Sequence, residues 1–123
     1  MTKRTFLGLS VVIASLLSGC MTGAKDQYYW GQYETLLRDM YTEEGKATPQ
    51  VQIQKITQDI QQAENSGQPV PPGVYAHLGF MYSIEGNDTA ATDAFNTERT
   101  LYKDSAVLIN GMLERANKAT TKK

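Results

Sequence analysis

Residues 66–73 read Ser66-Gly67-Gln68-Pro69-Val70-Pro71-Pro72-Gly73, and neither a helix nor a central strand can run through them. Prolines fix φ and remove backbone donors, while glycines favour turn and left-handed backbone. The chain is divided there, and each side must build its own elements. On both sides apolar residues recur three and four apart, the period of a helix with one buried face. Alternation of β-branched residues is confined to the brief Val51-Gln52-Ile53. An all-α fold of about five helices follows.

The first helix is expected over 32–43, with Tyr33, Leu36, Leu37, Met40 and Tyr41 on one stripe and Gly45 as a stop. The second fits 49–65: Thr48 serves as N-cap, Pro49 suits the first turn, and Ile53, Ile56, Ile60 and Ala63 face inward. The third fits 74–85, with Tyr75, Leu78, Gly79 and Tyr82 on one face. Gly86-Asn87 is a turn, and Asn87 or Asp88 can cap a fourth helix over 89–102. That helix buries Ala91, Ala94, Phe95, the stem of Glu98 and Leu101. Asp104 is placed to cap a fifth that runs to about 118, with Ala106, Ile109, Met112, Leu113 and Ala116 inward. Residues 119–123 are polar and are expected to fray.

The first 19 residues are of another kind. Lys3 and Arg4 precede an uncharged, largely apolar run, 6–17, which is shorter than the roughly 20 residues a membrane span needs. Ser18-Gly19 then leads to Cys20, the only cysteine. This is the anatomy of a cleaved secretory signal, and a lone exported cysteine needs an explanation of its own. Leu17-Ser18-Gly19-Cys20 resembles the lipobox of bacterial lipoproteins. The resemblance implies cleavage of 1–19 and acylation of Cys20 with an N-acyl and an S-diacylglycerol group, with 20–27 as a lipidated tether and 28–118 as the helical domain. Met21 stands where an aspartate would retain an enterobacterial lipoprotein in the inner membrane, so release to the outer membrane is expected. Loss of two basic residues from a chain of formal charge −1 leaves −3. A mildly acidic domain offers no basic surface for nucleic acid, so membrane affinity rests on the acyl chains.

The third and fourth helices resemble a tetratricopeptide repeat. Tyr75, Leu78, Gly79, Tyr82, Gly86, Ala91 and Phe95 follow its succession of large and small residues, with tyrosine where tryptophan is commonest. Glu98 departs from the usual alanine, and Lys103 from the usual closing proline. Tyr41 and Gly45 repeat the spacing of Tyr82 and Gly86 at a lag of 41, which makes the first two helices a degenerate copy and the fifth a cap on the stack. Tyr29-Trp30-Gly31 with Tyr33-Glu34, Pro71-Pro72-Gly73 with Tyr75-Ala76-His77-Leu78-Gly79, Glu85-Gly86-Asn87 and Lys103-Asp104-Ser105-Ala106 carry a second resemblance. They are similar to the bacterial lipoproteins catalogued as domain of unknown function 4810. That family has no established enzymatic activity, and its genes often neighbour those of a curli-secretion-channel-like lipoprotein. An accessory role in an outer-membrane assembly is implied, with other envelope lipoproteins as partners.

The residues themselves offer little chemistry. His77 is the only histidine and has no ligand or acid/base partner at suitable spacing, so a partly exposed helix histidine is expected. There is no phosphate loop, nucleophile elbow or Cys/His cluster, and no metal, cofactor, small-molecule substrate or enzymatic activity is expected. Two surfaces remain as candidates for a protein partner. One is the aromatic cluster Tyr28, Tyr29, Trp30 and Tyr33, which can also serve as packing. The other is the face of helix three that carries His77, Met81 and Glu85 at four-residue steps. The expected function is a membrane-anchored scaffold or binding protein. A cell-wall enzyme or activator, which would need paired titratable groups in a cleft, and a passive structural lipoprotein are the alternatives. Metabolic palmitate labelling checks the anchor: Cys20→Ala is expected to abolish the label, and label that persists contradicts it.

Overall fold

The computed structural model describes residues 27–120. The signal-like segment, Cys20, the tether up to residue 26 and the tail residues 121–123 lie outside the described residues. The described chain forms α1 (Tyr33–Thr42), α2 (Pro49–Ser66), α3 (Val74–Ile84), α4 (Asp88–Leu101) and α5 (Ala106–Thr120), with a 3₁₀ turn at Lys103–Ser105. No strand occurs among these residues, and Val51-Gln52-Ile53 lies within α2.

Local chemistry sets the ends. The Thr48 hydroxyl accepts the Val51 N–H at 3.4 Å, and Pro49 opens α2. Gly67 closes α2 at φ 65°, a left-handed conformation that costs glycine nothing. Asn87 caps α4 by accepting the Ala90 N–H at 3.2 Å, so α4 starts at Asp88, one residue before the expected 89. Asp104 does not cap α5. Tyr102 leaves α4 with extended backbone while its hydroxyl donates to the Val70 carbonyl, and the chain re-enters a helix through the 3₁₀ turn that contains Asp104.

Short turns make successive helices antiparallel. Bonds between the start of one helix and the end of its neighbour show it, as between Gln50 of α2 and Glu85 at the end of α3. Almost every side of α3 is apolar, as a helix packed on both flanks requires. One flank meets Leu36, Ile56, Ile60 and Ala63 of α1 and α2 together with Val70. The other meets Ala91 and Phe95 of α4, and Ile109 of α5 completes that cluster against Ala76. Gly79 sets the approach of α4: a Cβ placed there would lie 2.7 Å from the Phe95 ring. Two expected core residues face solvent. Tyr41 is 82 % exposed: Leu36 is the buried residue of α1, and Tyr41 lies on its last turn, outside both core clusters. Leu101 is 55 % exposed, because α4 ends at this residue and the chain leaves it with extended backbone at Tyr102.

Glu98 is buried completely rather than by its stem alone. Its Oε1 accepts the Gly73 N–H at 2.8 Å and the Ser105 hydroxyl at 3.0 Å. It therefore joins the start of α3, the body of α4 and the turn before α5. Asp59, also buried, makes the equivalent link in the preceding hairpin: its Oδ2 accepts the Gln32 N–H at 2.8 Å at the start of α1. Gly31 leaves the room, since a Cβ at that position would collide with the Asp59 carboxylate. Backbone N–H groups at a helix start have no partner within the helix, and negative charge is favoured there. Each carboxylate stands eleven residues beyond the N-cap of its own helix, Thr48 or Asn87. The N-caps they serve, Gln32 and Gly73, are 41 residues apart, the lag of Tyr41 and Tyr82. The two hairpins thus share one construction.

Removing Glu98 takes away two charge-assisted bonds and opens a cavity, a loss partly offset by the relieved burial of charge. Glu98→Ala is expected to lower unfolding stability by about 2–4 kcal/mol. Glu98→Gln, which keeps the Oε1 acceptor and the volume, is expected to lose less than half of that in the same denaturant titration.

Candidate functional site

The antiparallel order places α1, α3 and α5 side by side. Leu37 and Met40 of α1, Ala76, His77, Phe80 and Met81 of α3, and Leu108 and Met112 of α5 line an open groove of about 360 Å³. Its lining is apolar except for the imidazole. All three methionines of residues 27–120 are in it, one from each helix. A second depression of about 340 Å³ continues it, shares Phe80 and Met112, and ends at Arg115. Thioether side chains are unbranched and polarizable, and they adapt to irregular apolar partners.

A hydrogen-bond chain lies beneath the groove. The Gln52 side-chain amide donates to the Ala47 carbonyl at 2.6 Å, which turns its Oε1 toward His77. That oxygen lies 2.7 Å from His77 Nε2, so Nε2 carries the proton. His77 Nδ1 is then the acceptor, 3.0 Å from the Tyr33 hydroxyl. The two rings meet edge to face at 5.6 Å. One imidazole thus ties α1 and α2 to α3. Burial holds the His77 pKa below its usual value. Burial, with the Glu98 charge second, pushes the Tyr33 phenol up, so that it remains a hydroxyl donor.

The expected site residues are dispersed. Tyr29 and Tyr33 pack against the core, and Tyr29 donates its N–H to the Pro69 carbonyl at 3.0 Å. Trp30 is 38 % exposed at the start of α1, its ring 6.4 Å from that of Tyr33. His77 and Met81 line the groove, but Met81 is only 4 % exposed and forms its floor. Glu85 lies outside the groove and accepts the Gln50 amide at 2.6 Å. The three therefore do not form one open face, because α1 and α5 flank the earlier turns of α3 and leave its last turn to α2. Of the residues expected to pack a repeat, Leu78, Gly79, Ala91 and Phe95 are buried, Tyr75 and Tyr82 half-buried, and Gly86 turns at φ 74°.

Phe80, Leu108 and Met112 are not among the expected site residues. Phe80 is 49 % exposed and stands off the Tyr75–Leu78–Tyr82 face of α3. One methionine on every second helix is the signal in the sequence that points to them. Among the described residues no group of three or more histidine, cysteine or carboxylate side chains is placed to hold a metal ion, and no helix is long and apolar enough to cross a membrane.

A family model described as Domain of unknown function (DUF4810) matches residues 27–112. No curated protein and no solved structure matches the chain.

The His77 pKa is lowered on folding, so the unfolded chain takes up the proton first as pH falls. The stability of the neutral, bonded imidazole is complete above about pH 6.5 and is lost as pH falls toward the folded pKa, at no more than about 1.4 kcal/mol per pH unit. Asp59 works in the opposite sense, since burial raises its carboxyl. Urea unfolding followed from about pH 7.5 to about 5.5 is expected to show this decline. His77→Gln is expected to flatten it.

Proposed function

The chain belongs to this family, and we propose that it is a protein-binding scaffold of the bacterial envelope, anchored through Cys20. The groove between α1, α3 and α5 takes an apolar segment of a partner protein. The observation that carries this is the convergence of Met40 and Met112, with Phe80 and Leu108, on one open groove floored by Met81. Phe80 is half exposed and Leu108 more so, which is unfavourable for a surface that nothing covers. Apolar anchors seated in a groove are the usual source of interface energy.

The α3–α4 hairpin supports a tetratricopeptide-like reading: Gly79 lets the Phe95 ring and the Ala91 backbone approach. In such a stack the odd helices line the recognised surface. The lipobox supports export, cleavage after Gly19 and placement in the outer membrane, with the domain on the periplasmic side. Another envelope lipoprotein, such as a curli-secretion-channel-like one, is the partner proposed. Acylation would confine both to one surface and raise their effective concentration.

A photo-crosslinking residue at Phe80, in the lipidated protein in cells, is expected to give a discrete adduct with an envelope lipoprotein. The same probe at Thr92, on the exposed side of α4, is expected to give none. Phe80→Asp should keep the helical circular dichroism and weaken the isolated complex by about tenfold or more. Equal adducts from both positions, or none from Phe80, contradict the groove.

A further inference from the structure

One end of the bundle gathers the starts of α1, α3 and α5 and the ends of α2 and α4. The segment Pro69-Val70 holds it together, receiving the Tyr29 N–H on one carbonyl and the Tyr102 hydroxyl on the next. The chain enters the fold at this end through Tyr28 and Tyr29. Three large apolar side chains are exposed there: Trp30 at the start of α1, Leu101 at the end of α4, and Val107, 86 % exposed, in the first turn of α5. Pro69 and Pro72, in the segment before α3, are exposed as well. Neither the core nor the groove uses any of these five side chains.

We propose that this end of the bundle is a membrane-contact surface, on which Trp30, Leu101 and Val107 sit at the headgroup level of the bilayer that holds the acylated Cys20. It rests on the anchoring through Cys20 proposed above. The length of the tether decides the orientation. From Cys20 to Gln27 the fully extended chain reaches about 25 Å. The 18 residues of α2 alone span about 27 Å. The far end, with exposed Tyr41 and Ile84, could meet the same bilayer only if the tether were stretched flat along the whole molecule. The near end needs no such extension. Amphipathic aromatic rings favour the membrane–water interface, and Trp30 stands where the chain descends to its anchor.

The contact is apolar rather than electrostatic. The domain behind Cys20 carries a formal charge of −3, and at this end Lys103 stands beside Asp104. Neutral lipid is therefore sufficient, and salt should have little effect. In this orientation the groove opens to the side and stays free for a partner.

Trp30 is the only tryptophan, so its fluorescence reads the contact directly. The acylated protein is reconstituted in phosphatidylcholine vesicles with and without bromine on the acyl chains, and compared with soluble Cys20→Ala. The expected result is a blue-shifted emission, quenching by bromolipid and protection from aqueous iodide. A variant with Leu101→Asp and Val107→Asp is expected to float with the vesicles as before and to lose most of the bromolipid quenching. Acylated protein that floats while Trp30 emits and is quenched by iodide as in Cys20→Ala overturns the proposal and leaves the anchor standing. Trp30 shielded only after an envelope protein is added also overturns it, in favour of a protein interface. Cys20→Ala that floats like the wild type refutes the anchor itself, and the proposal with it.

Discussion

The fold depends on two carboxylates taken out of water. Asp59 and Glu98 lie on the second helix of successive hairpins, and each accepts the N–H at the start of the first helix of its own hairpin. Burying a carboxylate is costly unless hydrogen bonds and favourable dipoles replace its water. Here the replacement is a helix N-terminus, whose N–H groups have no partner within the helix, and at Glu98 it serves one oxygen only, Oε2 being buried without a hydrogen-bond partner among the described residues. The bond reaches across the hairpin, so it fixes where one helix starts along the length of the other. Glu98 adds a further tie through Ser105 and so positions the turn that starts α5. One side chain thereby registers three of the five helices.

The groove follows from that registration. With α1 and α3 held at the same level against α2 and α4, and α5 added by the same end, the odd helices present matching turns on one side. Leu37 and Met40, Phe80 and Met81, and Leu108 and Met112 then fall into one surface. His77 closes the floor by joining Tyr33 to Gln52. The hydrogen bonds under the surface are specific, while the lining above them is soft. That combination suits recognition of an apolar segment whose shape need not be matched in advance.

Much of the architecture was legible because it is written in local signals. Thr48, Pro49, Gly67 and Asn87 act at helix ends through their own backbone and hydroxyl or amide groups, and neighbouring residues are enough to see it. The inward stripe of α2 also follows from spacing, and the small residues Gly79 and Ala91 point to a close approach of α3 and α4. Non-local contacts were harder. Glu98 reads as a surface residue with a buried stem until Gly73 and Ser105 are brought to it across the fold. Asp59 is hidden in a polar run, and only the room at Gly31 explains its burial. Tyr41 fits the apolar stripe of α1 but has no helix opposite it, since periodicity identifies a face without identifying its partner. The groove itself draws on three helices, and its signal, one methionine on each odd helix, has meaning only once those helices are adjacent.

Amide hydrogen exchange at Gln32 and Gly73 tests the buried carboxylates most directly. An N–H at a helix start normally exchanges at nearly the unprotected rate. Bonding to Asp59 and Glu98 predicts strong protection at both, lost at Gly73 but kept at Gln32 in Glu98→Ala. Exchange of both at the unprotected rate in the wild-type protein would contradict the role given to the two carboxylates.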